Sequence, residues 1–344
     1  MQDFQYLDGT LHAEGVAVTE IQEKFGTPSY VYSRAAIERQ WQSYEDSFKD
    51  RSHCICYAVK ANGNLAILNL LARLGSGFDI VSVGELQRVI KAGGDAGKVV
   101  FSGVGKTPDE IRTTLQAGVK CLNVESLSEL QMVDKVAGEL QTRAPVSLRI
   151  NPDVDPVTHP YISTGLKENK FGIAYEEAVK AFEQANAMVN LNVTGIDCHI
   201  GSQITGLEPY LDAIDRILQL VELLSDKGIG LDHIDLGGGL GISYKDETPP
   251  TPAEFVTAIS EKISESSLEI IIEPGRSIIG NAGILITQVL YLKQNGVKNF
   301  AIIDAAMNDL IRPVLYDAWQ DIVPVKEDSD ANAQAYDIVG PICE

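Results

Sequence analysis

From about residue 52 the chain repeats one pattern: a short apolar or β-branched run of strand length, then an amphipathic stretch of helical length. Residues 53–59 read as a strand, and 64–74 as a helix with Leu65, Leu68 and Leu71 on its apolar face. Residues 78–81 are the next strand, followed by a helix near 84–92, and 98–101 and 120–124 repeat the theme. Further strands fit at 146–150, 193–199, 233–236 and 269–273, with helices between them. Strands alternating with helices imply a parallel sheet, and about eight such units are enough to close a (β/α)8 TIM-type barrel. A doubly wound open sheet is the rival, because strand count alone does not separate the two.

After Gly280 the pattern changes. Residues 283–292, 300–304 and 336–339 read as strands with no helices between them, the start of a second, all-β domain. The first thirty or so residues also look strand-like, notably 30–32, and are expected to pair with it. The organisation expected is therefore an N-terminal segment over 1–30, a barrel over 31–280 and an incomplete C-terminal all-β domain over 281–344.

Composition narrows the partners. With 48 acidic against 28 basic residues the formal charge is −20, a surface that repels nucleic acid and anionic lipid. Five cysteines (Cys54, Cys56, Cys121, Cys198 and Cys343) are scattered, without the spacing of a zinc site. Cys54 and Cys56 fall on an expected buried strand, where thiols act as small hydrophobes. No basic region followed by an apolar run opens the chain, and no apolar stretch approaches membrane-spanning length, so a cytoplasmic protein without metal is expected.

Two glycine motifs point away from nucleotides. Gly103-Val104-Gly105-Lys106-Thr107 resembles the end of a phosphate-binding loop, but the earlier glycine that loop needs is Val100. Thr107, Pro108 and Glu110 instead form a helix-capping box. In Gly237-Gly238-Gly239-Leu240-Gly241 the last glycine of a dinucleotide fingerprint would fall at Ile242.

Four polar motifs follow expected strands: Lys60 after 53–59, His199 in His199-Ile200-Gly201-Ser202-Gln203, the triplet Gly237–Gly239, and Glu273-Pro274-Gly275-Arg276. In a barrel these strand ends meet on one face. Singly, each has an ordinary explanation as surface lysine, polar cap or turn. Together they match the needs of a pyridoxal phosphate (PLP) site: a lysine for the Schiff base, glycine amides for a phosphate, a carboxylate for the pyridine nitrogen and a flat ring to stack on the cofactor.

These motifs resemble those of the fold-type III PLP enzymes, and the chain as a whole is similar to the diaminopimelate decarboxylase family. The resemblance runs from Tyr30 to Glu344. It is carried most specifically by Tyr57-Ala58-Val59-Lys60-Ala61-Asn62, Gly77-Phe78-Asp79 through Gly84-Glu85 and Thr158-His159-Pro160-Tyr161-Ile162-Ser163-Thr164-Gly165, to which Lys170-Phe171-Gly172-Ile173, Glu273 to Arg276, Met307 to Tyr316 and Gly340-Pro341-Ile342-Cys343-Glu344 add. It implies a PLP-binding barrel joined to a β domain, and a head-to-tail homodimer with shared active sites. Lys60 would be the Schiff-base lysine and His199 the stacking ring. Ser202, Gly238, Gly239 and the backbone of Gly275 and Arg276 would hold the phosphate, Glu273 would pair with the pyridine nitrogen, and Asp79 would lie near the cofactor. Arg276, Arg312 and Tyr316 would grip the substrate's distal carboxylate and amine, with Glu344 on the distal amine. Cys343 would be the proton donor supplied by the partner subunit.

The implied reaction is decarboxylation of meso-2,6-diaminopimelate to L-lysine and CO2. The resemblance also implies that the chain stops within a motif that ordinarily continues. Further β-domain strands and a tyrosine reaching phosphate and substrate would follow Glu344, and a shortened β domain is expected to weaken the dimer.

Two alternatives stay open. Decarboxylases of the ornithine or arginine type use the same barrel, but their substrates end in a cation, whereas Arg312 with Tyr316 suits a distal carboxylate. A non-catalytic PLP-binding regulatory homologue would keep the cofactor without turnover, and the presence of both Lys60 and Cys343 argues against it. An alanine-racemase-like activity needs a two-base arrangement that the sequence does not present.

Overall fold

The computed structural model describes residues 3–155, 169–327 and 334–343. The chain forms two compact units, one comprising Glu38–Ile242 and Thr248–Ile279, the other Met1–Ile37, Ser243–Glu247 and Gly280–Glu344.

The first unit is a closed barrel. Its eight parallel strands are His53–Ala58, Gly77–Ile80, Val99–Phe101, Cys121–Val124, Ala144–Asn151, Leu191–Asp197, His233–Asp235 and Glu269–Ile272. They stand side by side in sequence order, and the eighth pairs back onto the first with Ile270 opposite His53. That pairing excludes the open sheet and removes both free edges. The two-residue strand Ile173–Ala174 lies parallel beside the fifth barrel strand. The strands are near-continuous apolar runs, as parallel strands covered on both faces must be. Cys54, Cys56, Val100, Cys121 and Ile271 pack together although they come from strands one, three, four and eight. Only the barrel interior brings those strands together, so these residues form one of its filling layers.

Most strands end a residue or two before the sequence pattern suggests, because the chain leaves the ladder to present its polar groups. Val59 opens a 3-10 turn, Val59–Ala61, that carries Lys60. The first barrel helix, Leu65–Leu74, is capped by Asn64, whose side chain accepts from the amide of Ala66. It buries Ile67, Leu68 and Leu71, while Leu65, expected on the apolar face, is exposed. Covering those three side chains stabilises the helix by roughly 5–9 kcal/mol before entropy is counted. Thr107, Pro108 and Glu110 form the expected capping box on helix Pro108–Ala117, and Thr251 with Glu254 repeats it on Pro252–Lys262.

In the second unit, strands Phe4–Leu7, Thr10–Ala13 and Val16–Ala17 form a small antiparallel sheet. Ser29–Tyr32 pairs antiparallel with Gly283–Ile286. Phe4, Leu11, Ala13, Val18 and Ile286 are its buried core. Two expectations are corrected here. The N-terminal segment also contains a helix, Val18–Phe25. The run 283–292 is two strands, Gly283–Ile286 and Val289–Asn295, broken where Asp304 accepts from Thr287 Oγ1 at 2.6 Å and the Gln288 amide at 2.9 Å. Val289–Asn295 pairs with Lys298–Ile303, beside which Asp337–Val339 runs parallel. A third correction is the short helix Arg312–Tyr316, which lies between the strands 300–304 and 336–339 where no helix is expected.

Candidate active site

The expected cofactor residues all belong to the barrel unit and sit at or just beyond the C-terminal ends of its strands. Asp79 is paired in register with Ala58, the last residue of the first strand, two positions before Lys60. The result is an ion pair from Lys60 Nζ to Asp79 Oδ2. The Asp79 side chain is wholly buried, whereas that of Lys60 remains 48% exposed. Although nearly half of its side chain is exposed, the packed surroundings desolvate the Lys60 ammonium and work against its charge, but Asp79 and then Glu273 outweigh this and hold the pKa above the ordinary lysine value.

Below this pair lies a concentration of buried acid. Asp197 and Asp235 are register partners on strands six and seven. Carboxylate oxygens of Asp197, Asp235 and Glu273 lie within 4.8 Å of one another. Burial, followed by the charges of the neighbouring carboxyls, pushes Glu273 well above the usual carboxylate range. Asp235 is pushed up to about 6, chiefly by burial, although the Gly237 amide donates to it at 2.9 Å. Asp197 is raised by burial and by Asp235, with Arg149 Nε 3.8 Å away opposing the shift. Arg149 also donates to Glu125 at 3.3 Å and lies over the Phe171 ring at 5.0 Å. Glu125 in turn accepts from the amides of Gly103 and Gly172, both at 3.0 Å, tying three loops together.

The other end of the site is rich in donors. Arg276 donates to Ser202 Oγ at 3.1 Å. The glycine triplet is required by close approach: a Cβ at Gly238 would stand 2.1 Å from the Glu273 carbonyl oxygen. Gly239, at φ 102°, would place one 2.3 Å from that of Gly201. The Gly238 amide donates to His199 Nδ1 at 3.1 Å, which puts the proton of the neutral imidazole on Nε2. Burial, then Arg149 and Lys60, press the His199 pKa well below its ordinary value, in agreement with that tautomer.

The distribution of groups fits PLP. Asp79 Oδ1 and Asp197 Oδ1 are buried with no hydrogen-bond partner among the described residues, so the acidic end has acceptors to spare for a protonated ring nitrogen. The donor end, with a guanidinium, a hydroxyl and backbone free of side chains, suits a phosphate.

Of the expected substrate residues, Arg276 belongs to the barrel unit, and Arg312 and Tyr316 belong to the other unit. Arg312 stacks over Tyr316 at 4.9 Å and Tyr244 at 5.7 Å, and its Nε is buried without a hydrogen-bond partner among the described residues. Cys343 is a free, exposed thiol. Glu344 and the motif at 158–165 lie outside the described residues.

Sequence reasoning missed Ser102, Asn123, Glu125, Arg149, Asp197 and Asp235, all buried. A signal was present: Arg149, Asp197 and Asp235 are charges within or ending otherwise apolar strands, where a charge is stable only with a partner.

Comparison with known proteins agrees with this geometry. Residues 34–280 match the family model described as pyridoxal-dependent decarboxylase, pyridoxal binding domain. A diaminopimelate decarboxylase from Pseudomonas aeruginosa is 59% identical over 344 residues, covering 100% of this chain and 83% of the relative. The crystal structure of diaminopimelate decarboxylase from Helicobacter pylori complexed with L-lysine is 44% identical, with a TM-score of 0.90 over 95% of this chain and 82% of that one. That of M. jannaschii, in co-complex with L-lysine, gives 39% identity and a TM-score of 0.93 over 99% and 81%. A closed barrel with a lysine-bearing acidic mouth, joined in one chain to a β unit and similar over its whole length to these proteins, places the chain in the diaminopimelate decarboxylase family of pyridoxal-dependent decarboxylases.

Proposed function

We propose that this chain removes CO2 from meso-2,6-diaminopimelate to give L-lysine, using PLP held in the barrel mouth. The observation that carries the proposal is the Lys60–Asp79 ion pair above the buried carboxyl of Glu273. When bound, PLP supplies the electron sink for the pair that departing CO2 leaves behind.

The chain's own residues have these parts. Lys60 Nζ is the anchoring amine, and Asp79 holds its charge until the cofactor arrives. Glu273 would hold a proton at the ring nitrogen, and neutral His199 would orient the ring by stacking on it. Ser202, Gly239 and the backbone of Gly275 and Arg276 would hold the phosphate, and Gly238, whose amide is bonded to His199, would allow its close approach through its missing side chain. Arg276, Arg312 and Tyr316 would grip the substrate's distal carboxylate and amine, with Glu344 on the distal amine. Cys343 Sγ delivers the proton that replaces CO2 at the α-carbon.

We further propose a cytoplasmic homodimer in which the partner subunit's Cys343 completes each site. Five free cysteines support the reducing compartment. No helix of the described residues is long and apolar enough to cross a membrane.

The test is CO2 release from meso-diaminopimelate, ornithine, arginine and lysine with PLP present. Release from diaminopimelate alone is expected, and preference for ornithine or arginine would overturn the distal-carboxylate assignment. Mixing inactive Lys60→Ala and Cys343→Ala chains tests the shared site. Random exchange between dimers should restore about a quarter of wild-type activity, and no recovery despite exchange would rule sharing out.

A further inference from the structure

Asn123 lies in the fourth barrel strand and is fully buried. Its Nδ2 lies 3.4 Å from Glu273 Oε1, 3.4 Å from Asp235 Oδ2 and 3.2 Å from Ser102 Oγ. The nitrogen of the amide faces these oxygens as donor, each of them able to accept. Its oxygen faces the other way, accepting from Cys121 Sγ at 3.5 Å. Ser102 Oγ donates to the same Glu273 oxygen at 3.3 Å. One amide nitrogen thus stands between two buried carboxyls crowded into one site, where ionising both is costly.

The backbone here is fixed as well. The Asn123 carbonyl accepts from Lys106 Nζ at 2.7 Å, and the Lys106 side chain, 1% exposed, also bonds the Gly103 carbonyl and Glu129. Two residues on, the Glu125 amide donates to Glu129 at 2.9 Å. The lysine of the discarded phosphate-loop motif therefore pins the strand end that carries Asn123.

We propose that Asn123 is a positioning residue for Glu273, its amide nitrogen bridging the Glu273 and Asp235 carboxyls so that Glu273 stays the charged partner of a protonated cofactor ring. The inference rests on the PLP reading above. Without the bridge, Glu273 would face Asp235 unscreened, and the proton would sit on the carboxyl rather than on the ring nitrogen. The other charges around Glu273 are Asp79 from the second strand, Asp197 from the sixth and Lys60 beyond the first, with Arg149 of the fifth strand against Asp197. None of them bridges the two carboxyls as the amide does.

The test uses the full chain and PLP labelled with 15N in the ring. In Asn123→Ala the ring resonance is expected to move from the protonated towards the unprotonated position, and PLP affinity to fall about 10- to 100-fold. Unchanged resonance with affinity within about twofold of wild type would overturn the proposal.

Asn123→Asp keeps the volume and offers a donor only when protonated. Its affinity, relative to wild type, should be about tenfold or more better near pH 6 than near pH 8. A ratio that does not change with pH would equally overturn the role. Failure of the wild-type chain to bind PLP would instead remove the cofactor reading, and this inference with it.

Discussion

At the residue scale the site is governed by charge held out of water. Lys60 is kept protonated by Asp79 and Glu273 against the pull of burial. Replacing Asp79 with Asn removes the nearest opposing charge, so the Lys60 pKa should fall. The rate at which PLP attaches should then begin to rise at lower pH than in wild type, which stopped-flow absorbance would follow. An unchanged profile would mean that Asp79 does not control the amine. Lys60→Ala should reduce turnover by roughly a thousandfold or more while leaving the fold intact by circular dichroism.

His233, buried beneath the site, bears on stability instead. Its Nε2 lies 3.8 Å from Cys121 Sγ, and burial lowers its pKa to about 4 from 6.5. A base whose folded pKa is depressed stabilises fully above its unfolded pKa and loses that contribution as pH falls through the folded value. Acidification from about pH 6.5 to 4 should therefore remove about 3 kcal/mol from this source. Asp235, raised to about 6, acts in the opposite sense: its contribution is full below about pH 3.8 and is lost as pH rises through about 6. Urea melts of His233→Gln across this range should show a shallower acid limb than wild type.

At the scale of elements, the caps and close approaches carry separate loads. Thr251→Ala removes one side of the capping box on Pro252–Lys262 and should destabilise the chain by about 1 kcal/mol with no change in PLP binding. Gly238→Ala should do the reverse in emphasis, driving the seventh and eighth strand ends apart and releasing the cofactor. Equilibrium dialysis separates the two.

The alternation of apolar runs was enough to read these elements, because strands buried on both faces and capped amphipathic helices leave unmistakable patterns. The four motifs beyond the strands were legible for the same reason: polar residues stand out after an apolar run. Arg149, Asp197 and Asp235 show only as charges inside apolar runs, with no partner to explain them, and Asn123 does not show at all. They lie within or end the runs themselves, and only the register between strands shows that Asp197 is flanked by Arg149 and Asp235. The split of residues 283–292 was hidden too, since the side chain that breaks the strand, Asp304, is contributed from a distant position.

On the scale of the whole molecule, a charge of −20 sets a background against which every local contact works. Salt should screen that repulsion, so the melting temperature should rise by a few degrees between about 10 and 300 mM NaCl. A fall would place the balance with exposed ion pairs such as Lys227–Glu183 and Lys298–Asp337 instead.

The closure of the barrel also dictates when this protein can come into being. The strand leading to Lys60 hydrogen-bonds to the strand leading to Glu273, with Ile270 opposite His53 and the Ala58 amide on the Pro274 carbonyl at 3.1 Å. Synthesis runs from the amino end, so the lysine emerges from the ribosome long before the acid that must face it. A chain stalled before Glu269 has its amine in place but lacks the strand that closes the ring around it. Cofactor capture is therefore a late event in the life of the nascent polypeptide, set by topology and not by the order in which the chemical groups are made.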